Sequence, residues 1–155
     1  MAVYHLFSEQ KIPQKLDVVW DFISNPHNLR SITPPSMGFE ITTKELEDKI
    51  YSGMIISYTL KPLLGIKTLW LTEITHVRDR EYFVDEQRIG PYKLWHHQHK
   101  LTDMGNHVLM SDMITYKPPM GMIGSLANTL MIKKRLHGIF EYRRKMLENK
   151  FGIAL

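Results

Sequence analysis

Six segments of strand-forming composition run consecutively from Phe39 to Lys117, and one long amphipathic stretch follows them. They are FEITTKEL, KIYSGMIISYTLK, IKTLWLTEITHV, EYFVDEQRI, YKLWHHQHKLT and HVLMSDMITYK, rich in β-branched and aromatic residues. Turn signals separate them at Glu47-Asp48, Pro62 to Gly65, Arg78 to Arg80, Gly90-Pro91 and Met104 to Asn106. Such short turns imply an antiparallel meander, because parallel strands need long crossovers. The alternating stretch AVYHLFSEQK adds a strand at the N-terminus. PQKLDVVWDFIS then places Leu16, Val19, Trp20 and Ile23 at helical spacing, and in NPHNLRSITPPSMG Asn25 can cap a second short helix that Pro34-Pro35 ends. From Ser125 to about Phe151 a third helix is expected, with Leu126, Leu130, Leu136, Ile139, Phe140, Leu147 and Phe151 as its stripe and Gly152 at C′. The expected architecture is α+β: a seven-stranded curved antiparallel sheet, with two short helices after strand 1, wrapped around a long C-terminal helix. A space left between sheet and helix would be an internal cavity suited to an apolar ligand.

The chain of 155 residues is expected to form one domain, 1–155. It has no cysteine, which excludes disulfides, thiolate nucleophiles and cysteine-ligated metal sites, and a reducing cytoplasm is the expected location. No basic flank precedes an apolar core in MAVYHLFSEQKIPQK, so no signal peptide is read there. The longest uncharged run, Pro118 to Ile132, is too short for a membrane span of about 20 residues. Of the formal charge of +4, much sits late, in Lys133, Lys134, Arg135, Arg143, Arg144, Lys145 and Lys150 against Glu141 and Glu148. No platform of stacking aromatics accompanies it, so it reads as a solvated helix face and no nucleic acid partner is expected.

The stretch GPYKLWHHQHKL, residues 90–101, carries the densest chemistry. Side chains alternate along a strand, so Trp95, His97, His99 and Leu101 share one face and Leu94, His96, Gln98 and Lys100 the other. The Trp-to-Leu face suits the interior, which puts His96 on the surface. A two-residue turn at Met104-Gly105 would pair Leu101 with Val108, His99 with Met110, His97 with Asp112 and Trp95 with Ile114, bringing Asp112 and Tyr116 to the same face. Further ligand-contact candidates are Ile56 and Tyr58, then Trp70 (which shares its face with Ile74), then Phe83 and Gln87 in FVDEQ. Each of these serves equally as core.

Four stretches carry a family resemblance along nearly the whole chain: VVWDFISNPHNLRSITPPSMGFEI, GPYKLWHHQHKL, SDMITYKPPMG and IFEYRRKMLENKFG. Together they resemble the START-like polyketide cyclase/dehydrase superfamily (SRPBCC), which has the helix-grip fold of birch-pollen-allergen-type proteins. The resemblance implies that fold and a cavity for a small hydrophobic molecule, lipid-like or aromatic and polyketide-like. It does not imply one function, since the superfamily spans lipid carriers, hormone receptors and aromatase/cyclases.

The histidines admit three readings. As metal ligands, His97 and His99 would be joined by Asp112 in a two-histidine, one-carboxylate set. Single-domain members of the family resembled generally lack a metal, so neither metal nor cofactor is expected. As acid–base catalysts, His97 would be oriented by Asp112 with Tyr116 as a hydrogen-bond donor, a role the superfamily's cyclases suggest. As pocket lining, they would bond one another and a ligand's polar end, which is the preferred reading. Arg143 falls close to the apolar stripe and is expected to form a structural ion pair. The Met120–Ile123 loop could touch a membrane or partner, the lesser reading of an apolar loop packing on its own domain. Asp112 beside His97 predicts that His97 protonates first and that His99 stays neutral to lower pH.

Overall fold

The computed structural model describes residues 2–62, 65–118 and 131–154. Strand β1 (Tyr4–Ile12) leads through helix α1 (Leu16–Ile23) and two 3-10 turns (Pro26–Ile32 and Pro35–Met37) into β2 (Glu40–Ile41). A meander of β3 (Met54–Leu60), β4 (Thr68–Arg78), β5 (Tyr82–Ile89), β6 (Leu94–Asp103) and β7 (Val108–Lys117) follows, then helix α2 (Lys133–Phe151). The sheet order is β1-β7-β6-β5-β4-β3-β2, antiparallel throughout. This is the expected helix-grip arrangement. No helix among the described residues is long and apolar enough to cross a membrane. The expected first turns of the last helix, with Leu126 and Leu130, and the loop Met120–Ile123 lie outside the described residues.

Helix α1 buries Val19, Trp20 and Ile23, the residues its spacing selected, against Phe83, Leu101, Val108, Met110 and Leu147. The second short helix is a 3-10 turn, its start capped by Asn25, whose side chain accepts from His27 N–H at 2.9 Å. FEITTKEL makes a strand of only two residues. The Thr43 hydroxyl accepts from Ser57 N–H at 2.8 Å, while the N–H groups of Thr42 and Thr43 both reach Ser57 O. Side-chain bonding of this kind competes with the regular ladder and ends it.

The β6–β7 register differs from the expected one by two residues. Leu101 pairs with Met110, His99 with Asp112, His97 with Ile114 and Trp95 with Tyr116. The turn is longer than two residues because Asp103 Oδ1 accepts from Gly105 N–H at 2.8 Å and Met104 N–H bonds His107 O at 2.9 Å. Gly105, at φ +84°, supplies the left-handed residue that this turn needs. A slip of two preserves the facing of every side chain, so Asp112 still points inward.

Helix α2 lies across the concave face. Leu136 packs on the half of the core that contains Trp70, Tyr92 and Tyr116, and Leu147 on the half that contains Trp20 and Phe83. Several of its basic residues tie it to the end of β3, to β1 and to α1. Arg135 donates to Lys61 O and Arg144 to Glu9 O, each at 2.7 Å, while Lys150 sits 4.6 Å over the Phe22 ring.

Candidate functional site

Near the middle of the concave face, strands β5, β6 and β7 bring four ionisable side chains together. Asp85 is paired across the ladder with His97, and His99 with Asp112. His97 Nε2 lies 2.9 Å from Asp112 Oδ1, and its Nδ1 lies 3.4 Å from Asp85 Oδ2. His99 has the mirrored arrangement, with Nε2 2.7 Å from Asp85 Oδ2 and Nδ1 3.1 Å from Asp112 Oδ1. The two imidazoles lie 3.7 Å apart, and Phe83 stacks on His99 at 4.1 Å. From α2, Arg143 reaches in to place Nη1 3.5 Å from Asp112 Oδ1. All five are buried or nearly so, with the Asp85 side chain the most accessible at 17%.

Burial alone would raise the pKa of both carboxylates, but opposing charges win. Arg143 and the two histidines hold Asp112 well below the usual carboxylate range, and His97 and His99 lower Asp85. For the histidines, the expected order is reversed. Burial and the charge of His99 depress His97 despite its carboxylate partners. Burial works against His99 too, but its bonds to Asp112 and Asp85 outweigh it and raise the pKa. The two rings differ in their contacts: His99 lies within 2.7 Å of Asp85 and 3.1 Å of Asp112, whereas His97 is close to Asp112 alone and 3.4 Å from Asp85. One proton on His99 then disfavours a second on the neighbouring ring.

The cluster forms one end of a cavity of about 150 Å³ between sheet and α2. The remaining wall is mainly apolar and aromatic, with Thr33 and Arg135 its polar members: Met37 and Phe39 come from the segment after α1, Tyr58 and Trp70 from the sheet, Tyr92 and Trp95 from around the Gly90-Pro91 turn, and Leu136, Ile139 and Phe140 from α2. Trp70 anchors this wall, 6.1 Å from Tyr58, 5.6 Å from Tyr92 and 5.2 Å from Trp95. Tyr58 bonds Thr72 at 3.0 Å, and burial raises the phenols of Tyr58 and Tyr92, so both stay neutral.

Of the residues the sequence singled out, Tyr58, Trp70, Trp95, His97 and His99 line this cavity. The others do not reach its wall. Ile56 packs with Met54 and Ile74 in a separate cluster. Phe83 lies behind His99, against Trp20. Gln87 is engaged by the next turn: Nε2 donates to Tyr92 O at 2.6 Å and Oε1 accepts from Tyr92 N–H at 3.1 Å. Asp112 sits behind the histidines, and Tyr116 is 2% exposed, stacked on Tyr4. His96 is on the outer face, as expected, bonded to Glu86 at 2.7 Å.

Asp85 is the main residue that the sequence reading missed. It lies midway between Phe83 and Gln87, both placed on the inner face, so alternation alone assigns it there. Tyr92, Phe39 and Phe140 carried no comparable signal. Their place on the wall depends on how the turn, the post-α1 segment and the helix dock.

The same architecture occurs in known structures. A ginseng major latex-like protein from Panax ginseng superposes with a TM-score of 0.69 at 13% identity, over 96% of this chain and 97% of that one. A protein from Chromobacterium violaceum gives 0.71 at 10% identity, over 97% and 98%. A nucleoside-diphosphate sugar epimerase from Corynebacterium glutamicum gives 0.62 at 21% identity, over 93% of this chain but 28% of its own. No protein-family model and no curated protein matches the sequence. At these identities the likeness is one of fold alone, and it agrees with the expected helix-grip architecture.

Proposed function

We propose that the protein binds a small, mainly apolar molecule, about one aromatic ring in size, with its polar end towards Asp85, His97 and His99. The observation that carries this is the cavity itself, lined by a charged cluster and, for most of the rest, by aromatic and aliphatic side chains. Its size supports a small ligand. About 150 Å³ is the scale of a cavity that accepts benzene, whereas drug-sized ligands occupy about 300–1,000 Å³. Lipid-like or polyketide-like occupants therefore require the walls to move apart. Buried polar groups favour a ligand with hydrogen-bonding atoms: Trp70 Nε1 and Arg143 Nε have no bond among the described residues.

Calorimetric titration with single-ring phenols, benzoates and anilines, and with longer fatty acids, tests this reading. Saturable 1:1 binding of a ring compound, lost in Leu136→Trp, which fills the cavity from α2, is the expected result. Failure of every compound to bind the wild-type protein would overturn it.

A second reading, general acid–base catalysis on a polyketide-like substrate, is favoured by the His97–Asp112 contact at 2.9 Å. Tyr116 is an unsuitable donor in that scheme, being behind the wall. Turnover that survives His97→Ala would remove the assignment of the base.

A further inference from the structure

We propose that Asp85, His97 and His99 form a binding site for a divalent transition-metal ion at the polar end of the cavity. This goes beyond the ligand-binding reading and does not depend on it. One donor atom from each of the three residues lies within 4.8 Å of the others. Metal–nitrogen bonds of about 2.0–2.1 Å put the donors of a tetrahedral site about 3.4 Å apart. The separation of His97 Nδ1 from Asp85 Oδ2 matches this at 3.4 Å, whereas His99 Nε2, hydrogen-bonded to the same oxygen at 2.7 Å, would exchange that bond for the metal and move apart from it. Two imidazoles and one carboxylate, without a thiolate, suit zinc, ferrous iron and their neighbours rather than calcium or cuprous copper.

The second observation is what lies on the far side of the rings. Asp112 Oδ1 takes the other nitrogen of both histidines, His97 Nε2 at 2.9 Å and His99 Nδ1 at 3.1 Å. A carboxylate in that position fixes the tautomer and turns the opposite lone pairs towards a metal. Arg143 in turn holds Asp112 from α2. The residues that would coordinate the ion line the cavity, while Asp112, which would orient both rings, is not part of the wall.

The test uses the full chain, stripped with chelator and titrated with Co²⁺ and Zn²⁺ alone. We expect one equivalent to bind, with ligand-field absorption bands for Co²⁺ that signify protein ligands. Asp85→Asn should abolish those bands, and Asp112→Asn should weaken affinity about 10–100-fold by loosening both rings. His96→Ala, on the outer face, should change nothing. Should the Asp85 or Asp112 variant fail to fold, paramagnetic broadening in the wild-type protein decides. Co²⁺ should broaden the indole signal of Trp95, whose ring lies 6.2 Å from His97, before that of Trp20. Absence of stoichiometric binding, bands that survive Asp85→Asn, or broadening that begins elsewhere would overturn the proposal. Ligand titrations on the stripped protein would be unaffected by that outcome, so the two readings fail separately.

Discussion

Removing the carboxylate of Asp112 is expected to be among the most damaging single changes to this fold. Asp112 is 5% exposed and is approached by His97 at 2.9 Å, His99 at 3.1 Å and Arg143 at 3.5 Å. In Asp112→Ala all three lose a partner, and Arg143 remains 8% exposed with Nε already without a bond. Breaking a buried pair by removing one member costs about 3–5 kcal/mol, because the survivor stays desolvated and uncompensated. For a domain of this size about 1 kcal/mol moves Tm by about 2–4 °C, so a fall of order 10 °C is expected. Urea unfolding followed by far-ultraviolet circular dichroism, with the slope m unchanged, measures it. The double variant Asp112→Leu/Arg143→Met should cost less than Asp112→Ala alone, since it removes the stranded cation with its partner. A loss below about 1 kcal/mol, typical of exposed ion pairs, would refute the reasoning. So would a double variant less stable than the single one.

Tyr58→Phe should cost about 1–3 kcal/mol in the same assay, because it leaves the Thr72 hydroxyl, 3% exposed, without its bond. Gly90→Ala should loosen the Tyr92 wall and weaken ring-compound binding: the new methyl would sit 2.4 Å from Gln87 Oε1, which accepts from Tyr92 N–H. Gln87→Leu should reproduce that effect, and unchanged affinity in both would show that the turn does not hold the wall. In chelator-treated protein, NMR titration should show His99 taking up its proton first as pH falls. Its pKa is raised above the usual histidine value of about 6.5, and that of His97 is lowered below it. Asp112→Asn should shift both titrations, and the opposite order in the wild-type protein would contradict the short contacts of His99 with both carboxylates.

Much of this protein follows from local periodicity. Alternation in LWHHQHKL put Trp95, His97, His99 and Leu101 on one face and His96 on the other, because successive strand residues point in opposite directions whatever their partners. The spacing of Leu16, Val19, Trp20 and Ile23 fixed the buried side of α1 in the same way. Even the wrong turn length at Met104-Gly105 did little harm, since a slip of two keeps parity and left Asp112 facing inward. Tertiary structure decided the rest. Which residue stands opposite which histidine depended on an Asp103 side-chain bond within the turn. Asp85 was on the right face by alternation, yet its burial depends on two histidines one strand away. The Arg143 contact depends on where α2 crosses the sheet. Whether the interior is filled or hollow depends on side chains from β3 to β6, the post-α1 segment and α2 meeting around one space. Charge burial and cavity volume are sums over partners distant in sequence, and no local pattern encodes them.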